Sequence, residues 1–553
     1  MNSSKKTYWL DCLFLTVLFG TLYSLFLGHY ALISPDEGRY AEIGREMLVS
    51  GHYLVPRLNY ILYFEKPPFF YWLTALSLKL FGLNEWAVRL WPILFSIAGC
   101  LITYITAHIY YGRKTGLLAA GILGTSLLYF AIGHLATIDM TVSLLITATL
   151  VAFLLGVQTP IGLKRRGYFY LAAVCAAFAV LTKGLIGFVF PIMIIGLWVL
   201  LLNKWKELKT WYLPTTILIA LLIAAPWHIY MQIKYPAFFK FYFITQQFSR
   251  YATISAQRYE PFYYYTVTFL LGFFPWSVFI IQSIHHAWPR WKHRHQRPME
   301  IFFLIWFFSI LLFFSFSQSQ LIPYIIPIFP PAAILTACYL MQNMHKTRGL
   351  SAGFILLLLL AFGASLGLVL IPHYYPAAQP RAIKHDLMIT ITALLLTTLI
   401  ACGAYWRHKF KPALIILMIG TSVTAITLLF AIPHLDHRSI KPLAKIIMQQ
   451  IKSTDEVFTY NHYDQDLPFY THRRISVVDC AGELDFGINH ENDSSWMMHD
   501  DVFWPRWENG TRIFVITRLT DYQVLIQQYP HIKFYILGKT SRNILFSNQP
   551  NPS

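Results

Sequence analysis

The sequence predicts a polytopic helical membrane protein with a small α/β domain at its C-terminus, and three observations carry that prediction. Apolar runs of membrane length recur over most of the chain, and 56% of the 553 residues are hydrophobic against 13% charged. The basic clusters fall in every second gap between the runs, the asymmetry that orients helices across a bilayer. After Ser439 the apolar segments shorten to strand length.

About thirteen spans are expected, at roughly 9–33, 86–109, 115–134, 139–157, 168–182, 185–202, 212–231, 263–283, 300–316, 320–341, 350–371, 387–405 and 411–432. The first run, Trp9 to Ile33, is too long for a cleaved signal peptide and lacks a small-residue cleavage pattern, so it reads as a retained anchor. Basic clusters stand at Lys5-Lys6, Arg113-Lys114, Lys164-Arg165-Arg166, Lys204/Lys206/Lys209, Arg290/Lys292/Arg294/Arg297, Lys346/Arg348 and Arg407/Lys409/Lys411. Placing them in the cytoplasm puts the N-terminus inside and, with an odd span count, the C-terminus outside. The net charge of +18 is then a topology signal, and nucleic acid is not an expected partner. Cys12, Cys100, Cys175, Cys338 and Cys402 lie in apolar runs and only Cys480 in a polar one, which suggests no disulfide framework or thiol metal site.

Two domains are expected: residues 1–438, a membrane domain with outer-face surface helices at 34–82, and residues 439–553, an extracytoplasmic α/β domain. In the second, Glu456–Tyr460, Ile475–Asp479, Arg512–Thr517 and Lys533–Leu537 read as strands and 441–452 and 519–528 as helices. His490 and His499 have no metal-ligand spacing and read as solvated surface.

Residues 34–82 hold an unusual number of charges for a connection between two membrane spans: Asp36, Glu37, Arg39, Glu42, Arg45, Glu46, Arg57, Glu65 and Lys66. Ser34-Pro35-Asp36-Glu37 fits a capping box, in which Ser34 caps, Glu37 reaches back and Asp36 stays free. From there Tyr40, Ile43, Met47 and Leu48 recur at helical spacing, so this helix is expected to lie along the bilayer surface. The positive-inside assignment puts the same outer face under Asp139, Lys183 and the 232–262 loop, where Lys234, Lys240, Arg250 and Arg258 alternate with aromatic residues. That alternation suits an interfacial belt and equally a lipid-headgroup site. Tyr324 starts the tenth span from the same side, between Pro323 and Pro327.

No phosphate-cradling glycine loop occurs in a strand-to-helix setting, so a site on this face must draw an activated substrate from the membrane. Lipid-phosphate sugars are such donors. Their transfer needs fixed cations to stabilise the departing phosphate, for which Lys66 and Arg250 are candidates, and a carboxylate to orient or deprotonate the acceptor, for which Asp36 is one.

Pro35-Asp36-Glu37-Gly38-Arg39-Tyr40-Ala41-Glu42-Ile43, Phe64-Glu65-Lys66-Pro67-Pro68, Ala87-Val88-Arg89-Leu90-Trp91-Pro92 and Leu181-Thr182-Lys183-Gly184 resemble the bacterial aminoarabinose lipid A transferases. These belong to the polyprenyl-phosphate-dependent glycosyltransferases with the GT-C fold, which include protein O-mannosyltransferases. The resemblance extends into the tail, through Asp466-Leu467-Pro468-Phe469-Tyr470 and Gly482-Glu483-Leu484-Asp485-Phe486-Gly487. It implies an outer cavity in a bacterial inner-membrane protein, open to the periplasm, with an undecaprenyl-phosphate-linked sugar as donor and lipid A or a related envelope glycan as acceptor. Asp36, Glu37 and Asp139 become the candidate catalytic residues, and Lys66, Arg250, Tyr324, Lys183, Arg39 and Glu65 the candidate donor-phosphate and cavity residues. No cofactor is implied with certainty, although the resemblance leaves room for a divalent metal beside Glu65. The chain departs from the family at Thr245-Gln246-Gln247, where a His-Glu-His-like run is common, and at Gln318-Ser319-Gln320-Leu321, where Lys-Gly-Lys-Leu is common.

Two other readings stay open at the level of sequence. One keeps the mechanism with another sugar or a protein acceptor. The other is a transporter of lipid-linked sugar, against which stand the gathering of charge at one face and the lack of an apparent inverted repeat.

Overall fold

The computed structural model describes residues 3–254, 258–344, 348–374, 380–436, 438–480, 482–491 and 495–550, so Lys346 of the expected basic clusters lies outside the described residues. The chain begins with α1 (Ser3–Ser24), α2 (Asp36–Ser50), a short hairpin of β1 (Arg57–Leu58) and β2 (Ile61–Leu62), α3 (Phe69–Phe81) and α4 (Glu85–Tyr111). It continues through α5 (Arg113–Gly124), α6 (Leu127–Gly133), α7 (Ile138–Gln158), α8 (Leu163–Lys183), α9 (Ile186–Leu202) and α10 (Leu213–Lys234). Among the described residues eight helices, α4, α7 and α10 among them, are long and apolar enough to cross a bilayer, and two bent pairs raise that number to ten. The protein is a multi-pass membrane protein.

Three expected spans take another shape. The run 115–134 is broken, with α5 and α6 meeting at 65°. At the break the Thr125 and Ser126 hydroxyls bond back to the carbonyls of Gly121 and Ile122, each at 2.7 Å, an alternative to helix continuation that bends the chain. The run 263–283 turns by 110° between Tyr264–Gly272 and Trp276–Ala287, where Pro275 has no N–H to continue the helix. The first span ends at Ser24 rather than Ile33, because the carbonyls of Leu27, Tyr30 and Ala31 go to the Arg89 guanidinium instead of to helix N–H groups.

The helix expected on the bilayer surface, α2, is instead buried from Glu37 to Met47. Several of its charges pair inside the protein, as in the Arg45–Glu42 pair, where Nε and Nη2 donate to the two carboxylate oxygens at 2.7 and 2.6 Å. The alternation read as water against lipid is an alternation between the membrane body and the C-terminal domain. Helix α3 covers one side of α2, and Leu484 of the tail joins the buried cluster that holds Tyr40, Ile43 and Met47, with Tyr463 and Met497 packed against that cluster.

The tail holds β3 (Glu456–Tyr460), β4 (Ser476–Val478), β5 (Met497–Met498), β6 (Ile513–Arg518), β7 (Tyr535–Lys539) and β8 (Asn543–Ser547). They form one sheet in the order β5-β4-β3-β6-β8-β7, parallel from β5 through β6 and antiparallel at β8 and β7. The helices Lys441–Gln450 and Leu519–Gln528 fall where the sequence placed them. The strands β5, of two residues, and β8, of five, were not foreseen.

Two glycines record how tightly this domain sits on the membrane body. A Cβ on Gly38 would lie 2.5 Å from the Asp466 Cβ and 2.7 Å from its Cα, and one on Gly487 would lie 2.5 Å from the Leu62 carbonyl oxygen. Polar contacts cross the same seam. The Asn59 side chain donates to the Ile475 carbonyl at 2.8 Å and accepts from its N–H at 2.9 Å, and both Nη atoms of Arg57 reach the Glu491 carboxylate at 2.7 and 2.8 Å.

Candidate active site

The cations predicted to grip a phosphate do converge. Lys66 follows the β1–β2 hairpin, Lys183 ends α8, Arg250 follows the π-helix Lys240–Ser249, and Tyr324 lies in the 3-10 turn Ile322–Ile328. All four line one cavity of about 380 Å3, together with Gln246, Gln247, Ser317, Ser319 and a wall of aliphatic and aromatic side chains. At its edge Phe313 also lines an apolar groove of about 650 Å3 along α9 and the helix Pro298–Ser315.

Each cation is held differently. Lys183 pairs with Asp139 in the first turn of α7 and lies 4.0 Å from the centre of the Tyr324 ring, a cation–π contact. Arg250 Nη1 donates to Glu65 at 3.3 Å and to Gln246 at 2.8 Å, while its Nε is buried with no hydrogen-bond partner among the described residues. Lys66 makes no ion pair to any described residue. Burial, aided by the Arg250, Lys183 and Arg39 charges and opposed by Glu65, pushes its ammonium down to about 7.

The departures from the family fit this arrangement. Gln246 holds Arg250, and the Gln320 amide is turned inward, donating to the carbonyls of Ser317, Phe314 and Ser315 at 3.1, 3.4 and 3.5 Å. Around Glu65 stand Arg250, Gln246 and Lys66 rather than further carboxylates or imidazoles, and among the described residues no three His, Cys, Asp or Glu side chains form a cluster able to hold a metal. The residues present do not make a divalent-metal site beside Glu65.

The candidate catalytic carboxylates Asp36, Glu37 and Asp139 do not line this cavity. Asp139 lies directly behind Lys183. Asp36 opens α2 with its side chain 56% exposed, and it is paired with Arg39 rather than free, as the capping-box reading had it. That reading also differs at the cap itself, for Pro35 is the N-cap and no side chain caps the helix. Glu37 is buried and fully engaged elsewhere. Its Oε1 accepts from Arg89 Nε at 2.9 Å and the Ala136 N–H at 2.7 Å, and its Oε2 from Arg89 Nη2 at 2.7 Å and the Ile33 N–H at 2.8 Å. It therefore ties the segment before Asp36 to the segment before Asp139.

Arg89 is the member of this site that residue-by-residue reasoning missed. Its five N–H donors are all taken, two by Glu37 and three by the carbonyls of Leu27, Tyr30 and Ala31 at 2.8–2.9 Å. The signal was present, since an arginine near the start of an apolar span is costly unless paired.

Arg39 completes the group, with one arm on Asp36 and the other on Glu483 of the C-terminal domain. Lys234 and Lys240, the other lysines of the aromatic loop, do not line the cavity.

Residues 65–230 match the family described as dolichyl-phosphate-mannose-protein mannosyltransferase, and residues 443–548 match the aminoarabinose transferase C-terminal domain. Over 503 residues, 89% of each chain, the sequence is 29% identical to an undecaprenyl phosphate-alpha-4-amino-4-deoxy-L-arabinose arabinosyl transferase of Pectobacterium carotovorum subsp. carotovorum. It is 32% identical over 379 residues, 68% of each chain, to the protein of the same name in an Enterobacter species. The crystal structure of ArnT from Cupriavidus metallidurans bound to undecaprenyl phosphate superposes with a TM-score of 0.87 at 25% identity, covering 99% of both chains. Fold and site together define an integral-membrane glycosyltransferase of the GT-C class. The chain belongs to the family of undecaprenyl phosphate-alpha-4-amino-4-deoxy-L-arabinose arabinosyl transferases.

Proposed function

We propose that this protein transfers 4-amino-4-deoxy-L-arabinose from undecaprenyl phosphate to lipid A, on the periplasmic face of the bacterial inner membrane. The observation that carries the reading is the cavity in which Lys66, Lys183, Arg250 and Tyr324 meet, which shares Phe313 with an apolar groove. Cations at one end and a greasy groove at the other suit a phosphate on a polyprenyl chain. In this reading Lys66 and Arg250 hold the donor phosphate and stabilise it as it departs, with Lys183 and Tyr324 completing the wall. Asp36 orients the acceptor or takes its proton, Arg39 and Glu37 hold Asp36 in place, and Glu65 and Asp139 fix Arg250 and Lys183.

The Lys66 ammonium gives this clamp a pH dependence. A polyprenyl phosphodiester keeps one negative charge across the neutral range, so it favours the protonated lysine. With the free-enzyme ammonium at about 7, binding should be tight below that pH and weaken as pH rises through it, with uptake of a proton on binding. Affinity of the purified protein for such a donor, measured from about pH 6 to 9, should show this fall. Lys66→Met and Arg250→Ala should each weaken binding at pH 6, and the Lys66→Met deficit should shrink at high pH. Unchanged affinity in both variants would remove the clamp.

Orientation rests on the basic clusters, which fall in every second gap between the apolar runs of the sequence. The reading places 1–438 as the membrane-embedded catalytic domain with its N-terminus in the cytoplasm, and 439–553 outside. Reporter fusions after Gln450 and at Lys114 should report opposite compartments, periplasmic and cytoplasmic. A cytoplasmic report from the tail would invert the site's address.

A further inference from the structure

The tail motif Gly482-Glu483-Leu484-Asp485-Phe486-Gly487 has no part in the chemistry described so far, yet its Glu483 reaches Arg39 of α2. Glu483 accepts from Arg39 Nη1 while Arg39 Nη2 binds Asp36, so two carboxylates share one guanidinium. Gln465 Nε2 donates to the same Glu483 oxygen at 3.1 Å. Burial works against the Glu483 charge, but Arg39 and Gln465 outweigh it and hold its carboxyl below the usual range.

The rest of the motif fixes this loop against three of the segments that carry or lead to candidate site residues. Leu484 packs in the apolar cluster of α2, which bears Asp36 and Arg39. Gly487 lies against β2, four residues before Lys66. Phe486 stacks on Phe241 of the π-helix leading to Arg250, with ring centres 4.1 Å apart, and packs on Phe64 at 5.5 Å.

We infer that the C-terminal domain completes the active site, with Glu483 as a positioning residue that holds one arm of the Arg39 fork and so fixes the Arg39–Asp36 pair. The inference rests on the reading of Asp36 as the working carboxylate. A guanidinium can close on a single carboxylate with both arms, and that bidentate geometry is the stronger one. Glu483 occupies the second arm, so Asp36 is held through Oδ1 alone and keeps Oδ2 available to an acceptor. Without Glu483, Arg39 is free to swing onto both Asp36 oxygens.

The test uses the full-length purified protein and separates kcat from donor KM. Glu483→Gln should lower kcat by on the order of tenfold to a hundredfold, the worth of a hydrogen bond between charged groups, while donor KM stays close to wild type. Glu483→Asp should recover part of the loss. In an Arg39→Met background Glu483→Gln should cost nothing further, because both act through the same contact. A Glu483→Gln protein with lowered thermal midpoint or looser protease resistance but normal kcat per folded molecule would make the contact a domain fastener only and overturn the inference. Asp36→Asn is run alongside. If it turns over normally, the site reading has failed and the inference falls with it, whereas an inactive Asp36→Asn beside a normal Glu483→Gln overturns the inference alone.

Discussion

Arg89→Met should cost about 3–5 kcal/mol of stability, the penalty for removing one partner of a buried ion pair and leaving the other charge uncompensated. Here the stranded charge is Glu37, 1% exposed, and the carbonyls of Leu27, Tyr30 and Ala31 lose their donors as well. Each of those carbonyls sits in the irregular stretch that follows α1, where no helix can supply a replacement. Against a typical net stability of about 5–15 kcal/mol, a loss of this size should appear as a large fall in the thermal midpoint of the detergent-purified protein and in membrane yield. Glu37→Gln, which keeps the shape and removes the charge, should fall in the same direction. An unchanged midpoint in both would mean that the pair does not hold the Asp36 and Asp139 segments together.

Asp36→Asn should lose on the order of a hundredfold or more in turnover, the range for removing a group that works in proton transfer. If the acceptor is a hydroxyl, the carboxylate takes its proton; if it is an already ionised phosphate, Asp36 orients it or stabilises positive charge developing on the sugar. The substitution preserves size and an acceptor for Arg39, and no side chain caps α2, so the fold should tolerate it. Donor binding should be retained, since Asp36 does not line the cavity that holds Lys66 and Arg250. Turnover near wild type would transfer the working role to Asp139.

The cation cavity was legible in the sequence because charge is scarce in this chain. Lys66, Lys183 and Arg250 stand out against apolar or aromatic neighbours, and the positive-inside rule put them on one face before any geometry was known. The carboxylates were less legible, for a physical reason. Ser34-Pro35-Asp36-Glu37 satisfies a local rule, and a local rule names local partners, but Glu37 found Arg89 at a separation of 52 residues and Arg39 found Glu483 at 444. Helix α2 misled in the same way. Its apolar stripe was real, but Gly38 on the same helix lies against Asp466 of the tail rather than against water. The breaks at Thr125 and Pro275 lie inside runs whose mean hydropathy alone passes for a single span.

The central claim is that this protein adds an aminopentose to lipid A, and mass spectrometry of lipid A tests it most directly. Lipid A should be taken from cells lacking the protein, from the same cells carrying it, and from cells carrying Asp36→Asn at matched membrane levels. The account predicts species heavier by one pentosamine only in the second sample. An identical lipid A profile in all three, with the donor lipid present, would contradict it.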